Sequence, residues 1–320
     1  MTVCVDSASG RHLAHRALLY ASREEFVEAM APFVRTGVGR GDLVLVVTDR
    51  ENAEALREEL GAGAAGVRFR RSQEWYTNPA TTLERYRTAL AERRRGQGAT
   101  VVGEPTWRAS GAGLREWARY ESVINVALRD VALDLVCPYD ANALPDRVLA
   151  HAHETHPELV DAAEARPSPR YVAPAEFPGL LDGAAPVRIV GEASLNGLDG
   201  LRDFRRLAAG AALDAGVPPE RVSDVVLAAS EVASNAVRHG RPPASARVGL
   251  SEGAFVCEVS DGGDGIPDPL AGWLHLASGR RGGWGLALAR RLADALEIQR
   301  DGERSHVRLH FALSRDAEPV

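Results

Sequence analysis

From the N-terminus to about residue 159, short runs of aliphatic and β-branched residues alternate with longer stretches of helical periodicity. The runs Ala17–Tyr20, Leu43–Thr48, Val67–Phe69, Thr100–Gly103 and Leu133–Cys137 predict strands. Between and after them, Arg23–Arg35, Glu51–Leu60, Pro79–Arg95, Leu114–Leu128 and Pro145–His153 predict helices. Strands separated by helices of that length predict an α/β unit, with a mostly parallel sheet and helices on its faces. From Pro157 to Pro186 the texture changes, because six prolines (157, 167, 169, 174, 178 and 186) fall among Ala, Gly and Asp. Proline breaks both helix and strand ladder, so this stretch reads as a semi-rigid linker. Beyond it the pattern predicts helices Leu198–Ala215 and Pro219–His239, then strands Ser245–Leu250 and Ala254–Ser260. A glycine-rich loop, a helix Leu286–Ala295 and strands Leu296–Arg300 and His306–Ala312 complete the chain. Adjacent strands without crossover helices predict an α+β two-layer sandwich.

Composition narrows the function classes. The net charge is −6 with basic residues scattered among acidic ones, which argues against a nucleic-acid footprint. All 38 basic residues are Arg, so any cationic side chain that binds phosphate must be an arginine, and a lysine-bearing phosphate loop is excluded. The loop Gly37-Val38-Gly39-Arg40-Gly41-Asp42 follows a helix and precedes a strand, the reverse of a dinucleotide loop, and reads as a helix C-cap. Cys4, Cys137 and Cys257 are too few and too dispersed for a disulfide framework or a zinc cluster, and read as buried thiols. No apolar run is long enough to cross a bilayer. Met1-Thr2-Val3-Cys4-Val5-Asp6 lacks a secretory n-region, so a cytoplasmic protein is expected.

Three separated signals in the second half carry candidate chemistry. Glu231, Asn235 and His239 are spaced by four and share one face of a helix. An Asn amide oxygen is a hard, neutral ligand suited to Mg²⁺, while a Glu carboxylate can take or orient a hydroxyl proton. A polar stripe on an ordinary amphipathic helix is the plainer reading of the same spacing. Asp261 ends a strand and could accept from an exocyclic amino group, selecting adenine; Gly263 and Gly265 would let the backbone approach a flat base. Turn chemistry alone also accounts for Asp261-Gly262-Gly263-Asp264-Gly265. Gly283 and Gly285 precede a helix that begins at Leu286, where unpaired backbone N–H groups can seat phosphates. Arg280 and Arg281 stand within reach of a γ-phosphate, or form a solvated pair. Residues Ile266 to Gly282 would then form a lid, with Trp273 packing or stacking.

Taken together, these boxes resemble the N, G1 and G2 boxes of the GHKL ATPase superfamily, most closely its anti-sigma-factor kinase branch of the RsbW and SpoIIAB type. There the helix reads Glu-x-x-x-Asn-Ala-x-x-His-Gly, as Glu231 to Gly240 does here. The resemblance covers about residues 186 to 313 and implies a Bergerat ATP-binding fold. It implies Glu231 as catalytic base, Asn235 as Mg²⁺ ligand and Asp261 as adenine anchor. His239, Gly263, Gly265, Arg281, Gly283, Gly285 and Leu286 would complete the ATP pocket. It further implies phosphorylation of a serine on an anti-anti-sigma (STAS-domain) partner, with sigma-factor binding as the other output. A non-catalytic ATP-dependent binding switch is the alternative. A sensor histidine kinase is another, but the segment before the ATPase region is proline-rich and no phosphoacceptor hairpin is evident. His151, His153 and His156 read as a solvated helix-end cluster, with metal binding a secondary possibility.

In the first half, His15, Tyr20, Glu104, Trp107, Glu121, Cys137 and Tyr139 fall near strand ends, where parallel sheets bind ligands. Core and capping roles explain them equally well. The segments His15…Leu18-Leu19-Tyr20, Glu74-Trp75-Tyr76-x-Asn78-Pro79, Gly103-Glu104-Pro105-x-Trp107 and Cys137-Pro138-Tyr139-Asp140 look like the MEDS sensory domain. That resemblance implies a RecA/KaiC-like fold and sensing of a small organic ligand, with His15, Tyr20, Glu104, Trp107, Cys137 and Tyr139 as the ligand-site candidates. The expected organisation is a sensory domain at 12–159, a linker at 160–186 and an ATP-binding domain at 187–314. A homodimer is compatible with it; direct nucleic-acid and membrane partners are not expected.

Overall fold

The computed structural model describes residues 12–107, 111–161, 164–177, 185–263, 265–266, 268, 270–273, 284–301 and 304–313. The chain divides into two compact units, one formed by residues up to 107 with 120–177, the other by residues 108–119 with 178–319.

The first unit is built on a seven-stranded sheet of order β3-β2-β4-β5-β1-β6-β7. Its strands are β1 (Leu13–Tyr20), β2 (Leu43–Thr48), β3 (Val67–Arg71), β4 (Ala99–Gly103), β5 (Leu133–Asp140), β6 (Glu158–Asp161) and β7 (Glu164–Pro167). All neighbours pair in parallel except β6 and β7. Every residue of β2 is buried, as expected of a parallel strand covered on both faces. Helices α1 (Arg23–Arg40), α2 (Arg50–Leu60), α3 (Ser72–Trp75), α4 (Pro79–Ala91), the part of α5 (Gly111–Ala127) from Tyr120 on, and α6 (Asp146–Thr155) are interspersed with the strands. Capping residues set their starts: Ser22, Asp49 and Asn78 accept from the N–H groups of Glu25, Asn52 and Thr81. Helix α1 stops at Gly41, whose φ of 74° is the left-handed C-cap expected of that glycine-rich turn.

Strands β6 and β7 lie inside the proline-rich stretch, so its first part is sheet and not linker, and they have no counterpart in the predicted elements. The ladder tolerates Pro167 because β7 is an edge strand, where one missing donor is cheap. Strand β1 starts four residues before its predicted start, and β5 continues through Pro138 to Asp140.

The second unit has a five-stranded antiparallel sheet of order β11-β12-β10-β9-β8. These strands are β8 (Arg188–Ser194), β9 (Ser245–Ser251), β10 (Ala254–Asp261), β11 (Ala295–Asp301) and β12 (Arg304–Ala312). Helices α7 (Gly197–Asp214), α8 (Val222–His239) and α9 (Trp284–Leu292) pack on one face. Alternation along β10 puts Phe255, Cys257 and Val259 into this helix-facing core, joined by Val307, Leu309 and Phe311 of β12. On the opposite face Glu258 accepts from Arg247 and Arg308 on the two flanking strands. Strand β8 was not predicted: its sequence Arg-Ile-Val-Gly-Glu-Ala-Ser lacks an apolar run, and it sits at the sheet edge. The two sheets thus bear out a parallel α/β arrangement followed by an antiparallel α+β one.

Helix α1 meets the first sheet closely, since a Cβ at Gly37 would lie 2.5 Å from Thr100 Oγ1. Gly37→Ala is therefore expected to destabilise the first unit by about 1–3 kcal/mol despite its better helix propensity. Denaturant unfolding followed by circular dichroism checks this; an unchanged midpoint would show that the contact relaxes freely.

Candidate functional site

Helix α8 buries Val225, Ala228, Ala229, Val232, Ala233 and Ala236, and so fixes which way its remaining side chains face. Glu231 and Asn235 are left half-buried one turn apart, and His239 is exposed at the helix end. The preponderance of alanine on the buried face allows close packing of neighbouring elements. Gly285, the second residue of α9, is where α9 meets this stripe. A Cβ on Gly285 would lie 2.7 Å from Glu231 Oε2 and 3.3 Å from Asn235 Nδ2. Only a glycine leaves that space open.

The C-terminal end of α8 meets the end of β10 in the same manner. Gly240 donates to Ala236 O at 3.0 Å, and a Cβ on it would lie 2.5 Å from Asp261 Cγ. Asp261, the last residue of β10, accepts the Gly263 N–H at 2.7 Å. Gly262 N–H donates to Arg241 O at 2.7 Å, tying the loop to the segment after α8. Gly265 has a φ of 81°, which favours glycine. These residues enclose a cavity of about 220 Å³, lined by Asn235, His239, Asp261, Gly263, Gly265 and Leu286, with Ile266 and Val307 among its apolar walls. Glu231 does not line this cavity. It borders a neighbouring one of about 270 Å³ with Trp284, Gly285, Leu288 and Arg291.

Of the predicted pocket residues, the structure thus gathers Asn235, His239, Asp261, Gly263, Gly265 and Leu286 around one cavity, and sets Glu231 and Gly285 at its neighbour. Arg280, Arg281 and Gly283 lie outside the described residues. Trp273 is buried, with the Arg290 guanidinium 4.9 Å from its ring centre, so it packs inside the unit. Arg291 was missed by sequence reasoning. Its signal is the spacing of Trp284, Ala287, Leu288 and Arg291, which puts all four on one helical face.

The candidate sensory residues of the first unit separate into two clusters. In one, the Tyr20 hydroxyl donates to Glu104 Oε1 at 2.5 Å, the Thr48 hydroxyl donates to Glu104, and Asn52 Nδ2 donates to the Tyr20 oxygen at 3.2 Å. Burial raises the Glu104 carboxyl above the usual carboxylate range, against the lowering effect of these donors. In the other, His15 and Cys137 meet Glu121 and His156. Tyr139 packs edge-on to His156 at 5.6 Å, and Trp107 packs against Tyr139 at 5.7 Å. The solvated helix-end reading fails for His156, which is wholly buried, because the chain turns inward after α6; His151 and His153 are half-buried.

No helix among the described residues is long and apolar enough to cross a membrane. Residues 14–157 match the family model described as MEDS, the methanogen/methylotroph, DcmR sensory domain. Residues 196–311 match the model described as the histidine kinase-like ATPase domain. No curated protein matches the chain. Among solved structures, the chain is similar to the RsbU and RsbW domains of Rv1364c from Mycobacterium tuberculosis, at 23% identity over 40% of this chain and 33% of that one, with a TM-score of 0.29. The chain spans about a third of that solved chain's length. The chain thus carries a region that matches the MEDS model followed by a region that matches the histidine kinase-like ATPase model.

Proposed function

We propose that the second unit is an anti-sigma-factor-type serine kinase, which binds ATP with Mg²⁺ and phosphorylates an anti-anti-sigma (STAS) partner. The observation that carries this reading is the meeting of Glu231, Asn235 and Gly285 beside a cavity closed by Asp261. Asp261 presents a carboxylate to that cavity, suited to an adenine amino group, and Gly263 and Gly265 leave the base room. The Asn235 amide oxygen suits Mg²⁺, and the glycine at 285 leaves space beside it for the triphosphate that a larger side chain would fill. Bound Mg²⁺ would neutralise charge on the transferring phosphoryl group. Glu231, set apart from the base cavity, is positioned to accept the proton of the attacking serine hydroxyl as its oxygen bonds to the γ-phosphorus and ADP departs. Arg291, which lines the same cavity, can pair with phosphate oxygens, a role open only to arginine in a chain without lysine.

In this reading the sensory domain expected at 12–159 takes a small organic ligand and extends through β7 (Glu164–Pro167), which shortens the linker expected at 160–186, and 187–314 form the kinase domain, in a cytoplasmic regulator of transcription. Sigma-factor binding is the second output. The sensor's ligand biases either nucleotide binding or partner access.

Incubation of the full chain with labelled ATP and a STAS protein from the same genome is expected to yield phosphoserine on the partner. Glu231→Gln should reduce that transfer by about 10²–10⁴-fold while leaving ATP bound. Retained partner binding without any transfer by the wild type would mean a non-catalytic switch, and acid-labile phosphate on the chain itself a histidine autokinase. Gly240→Ala is expected to displace the Asp261 carboxylate and weaken ATP binding roughly tenfold, about 1.4 kcal/mol. Fluorescent-nucleotide titration measures this, and an unchanged affinity would remove Asp261 from the base site. Asp261→Asn should shift preference away from ATP relative to GTP in the same titration, whereas an unaltered ratio would deny it a role in base selection.

A further inference from the structure

Four side chains from separate parts of the first unit converge on one point: His15 of β1, Glu121 of α5, Cys137 of β5 and His156 just after α6. Each offers one ligand atom, and the four atoms lie within 4.8 Å of one another. All four residues are at most 2% exposed. His15 Nε2 is 3.5 Å from Glu121 Oε2 and 3.4 Å from Cys137 Sγ. His156 Nε2 is 3.5 Å and Cys137 Sγ 3.7 Å from the same Glu121 oxygen. A tetrahedral ion with bonds of about 2.0–2.3 Å to N, O and S holds its ligand atoms about 3.3–3.8 Å apart; the four separations above fall in that range, and none in the set exceeds 4.8 Å.

The outer contacts decide which face each imidazole shows. Asn125 Nδ2 donates to the carbonyls of Thr155 at 2.7 Å and Ser122 at 3.2 Å, which fixes the amide orientation. Its Oδ1 can therefore only accept, and His15 Nδ1, 3.0 Å away, must carry the proton. His156 Nδ1 lies 2.9 Å from the Ala152 carbonyl, and the same logic puts its proton there. Thr155 Oγ1, 3.1 Å from that nitrogen, already donates to His151 O and so also accepts. Both rings consequently turn an Nε2 lone pair toward Glu121 and Cys137. His156 Nε2 is buried with no hydrogen-bond partner. Two imine nitrogens and a carboxylate facing one another in a dry site are all acceptors, and the single thiol proton cannot satisfy them. What such a set lacks is a cation. A carboxamide and a backbone carbonyl behind the two rings are the outer partners that metal-bound histidines use.

From this geometry we propose that His15, Glu121, Cys137 and His156 bind one divalent transition-metal ion of the zinc, cobalt or ferrous class. A thiolate and two imidazoles favour these ions over Mg²⁺ and Ca²⁺. Binding releases the Cys137 proton, so a dipositive ion with one thiolate and one carboxylate gives a buried site of no net charge. The aromatic wall of Tyr139 and Trp107 shields it from water. Sequence reasoning dismissed a zinc cluster on cysteine count and dispersal; the site uses one cysteine and draws its other ligands from residues up to 122 positions away from it.

The test uses the full, tag-free chain stripped with chelator and reloaded with Co²⁺. The expected result is one Co²⁺ per chain by elemental analysis, with a thiolate-to-cobalt charge-transfer band and four-coordinate visible bands that Zn²⁺ abolishes. Cys137→Ser should lose the charge-transfer band, and His156→Gln should lose stoichiometric binding. Should either variant misfold, the wild type still decides: Cys137 alkylation in native protein should slow when Zn²⁺ is added. A wild-type chain that takes up no ion, a spectrum indifferent to Cys137→Ser, or alkylation unaffected by Zn²⁺ would each overturn the proposal.

Discussion

The second unit depends on how closely α8 approaches its two neighbours. Glycine stands where α9 meets α8, at Gly285, and where α8 ends against β10, at Gly240; side-chain carbon at either would overlap a carboxylate. The alanine-rich face of α8 seats it on the sheet, and this seating orients Glu231 and Asn235 together. A rigid scaffold of packed apolar residues thus positions a few polar groups with little freedom to relax, which is what metal-triphosphate chemistry requires.

Arginine must perform every cationic task in this chain, and its placement separates structure from candidate chemistry. Arg247 and Arg308 are engaged by Glu258, whose carboxyl they hold below its usual range against the opposing effect of burial. Arg290 is buried over Trp273 and bonds the Ala271 carbonyl. Arg291 instead borders the Glu231 cavity. The same division holds among buried polar groups of the first unit. Glu104 is satisfied by Tyr20, Thr48 and Asn52, whereas the histidine pair at 15 and 156 is aimed at acceptors.

Much of this was legible from sequence because periodicity and punctuation are local. The fully apolar β2, the capped helices and the i, i+4 spacing of Glu231 and Asn235 each report their environment within a few residues. Edge strands β7 and β8 were not legible, since strands with half their ladder open need no apolar run. His156 was misjudged for a related reason: nothing local records that the chain turns inward after α6. The meeting of His15 with Cys137 follows from parallel pairing of β1 with β5, a relation between residues more than a hundred positions apart.

Calorimetric titration of the full chain with ATP, in the presence and absence of Mg²⁺, tests the central claim most directly. Saturable binding strengthened by Mg²⁺, with the Mg²⁺ effect lost in Asn235→Ala, is the result the account predicts. Binding indifferent to Mg²⁺, or an Asn235→Ala chain that keeps the full metal effect, would contradict it.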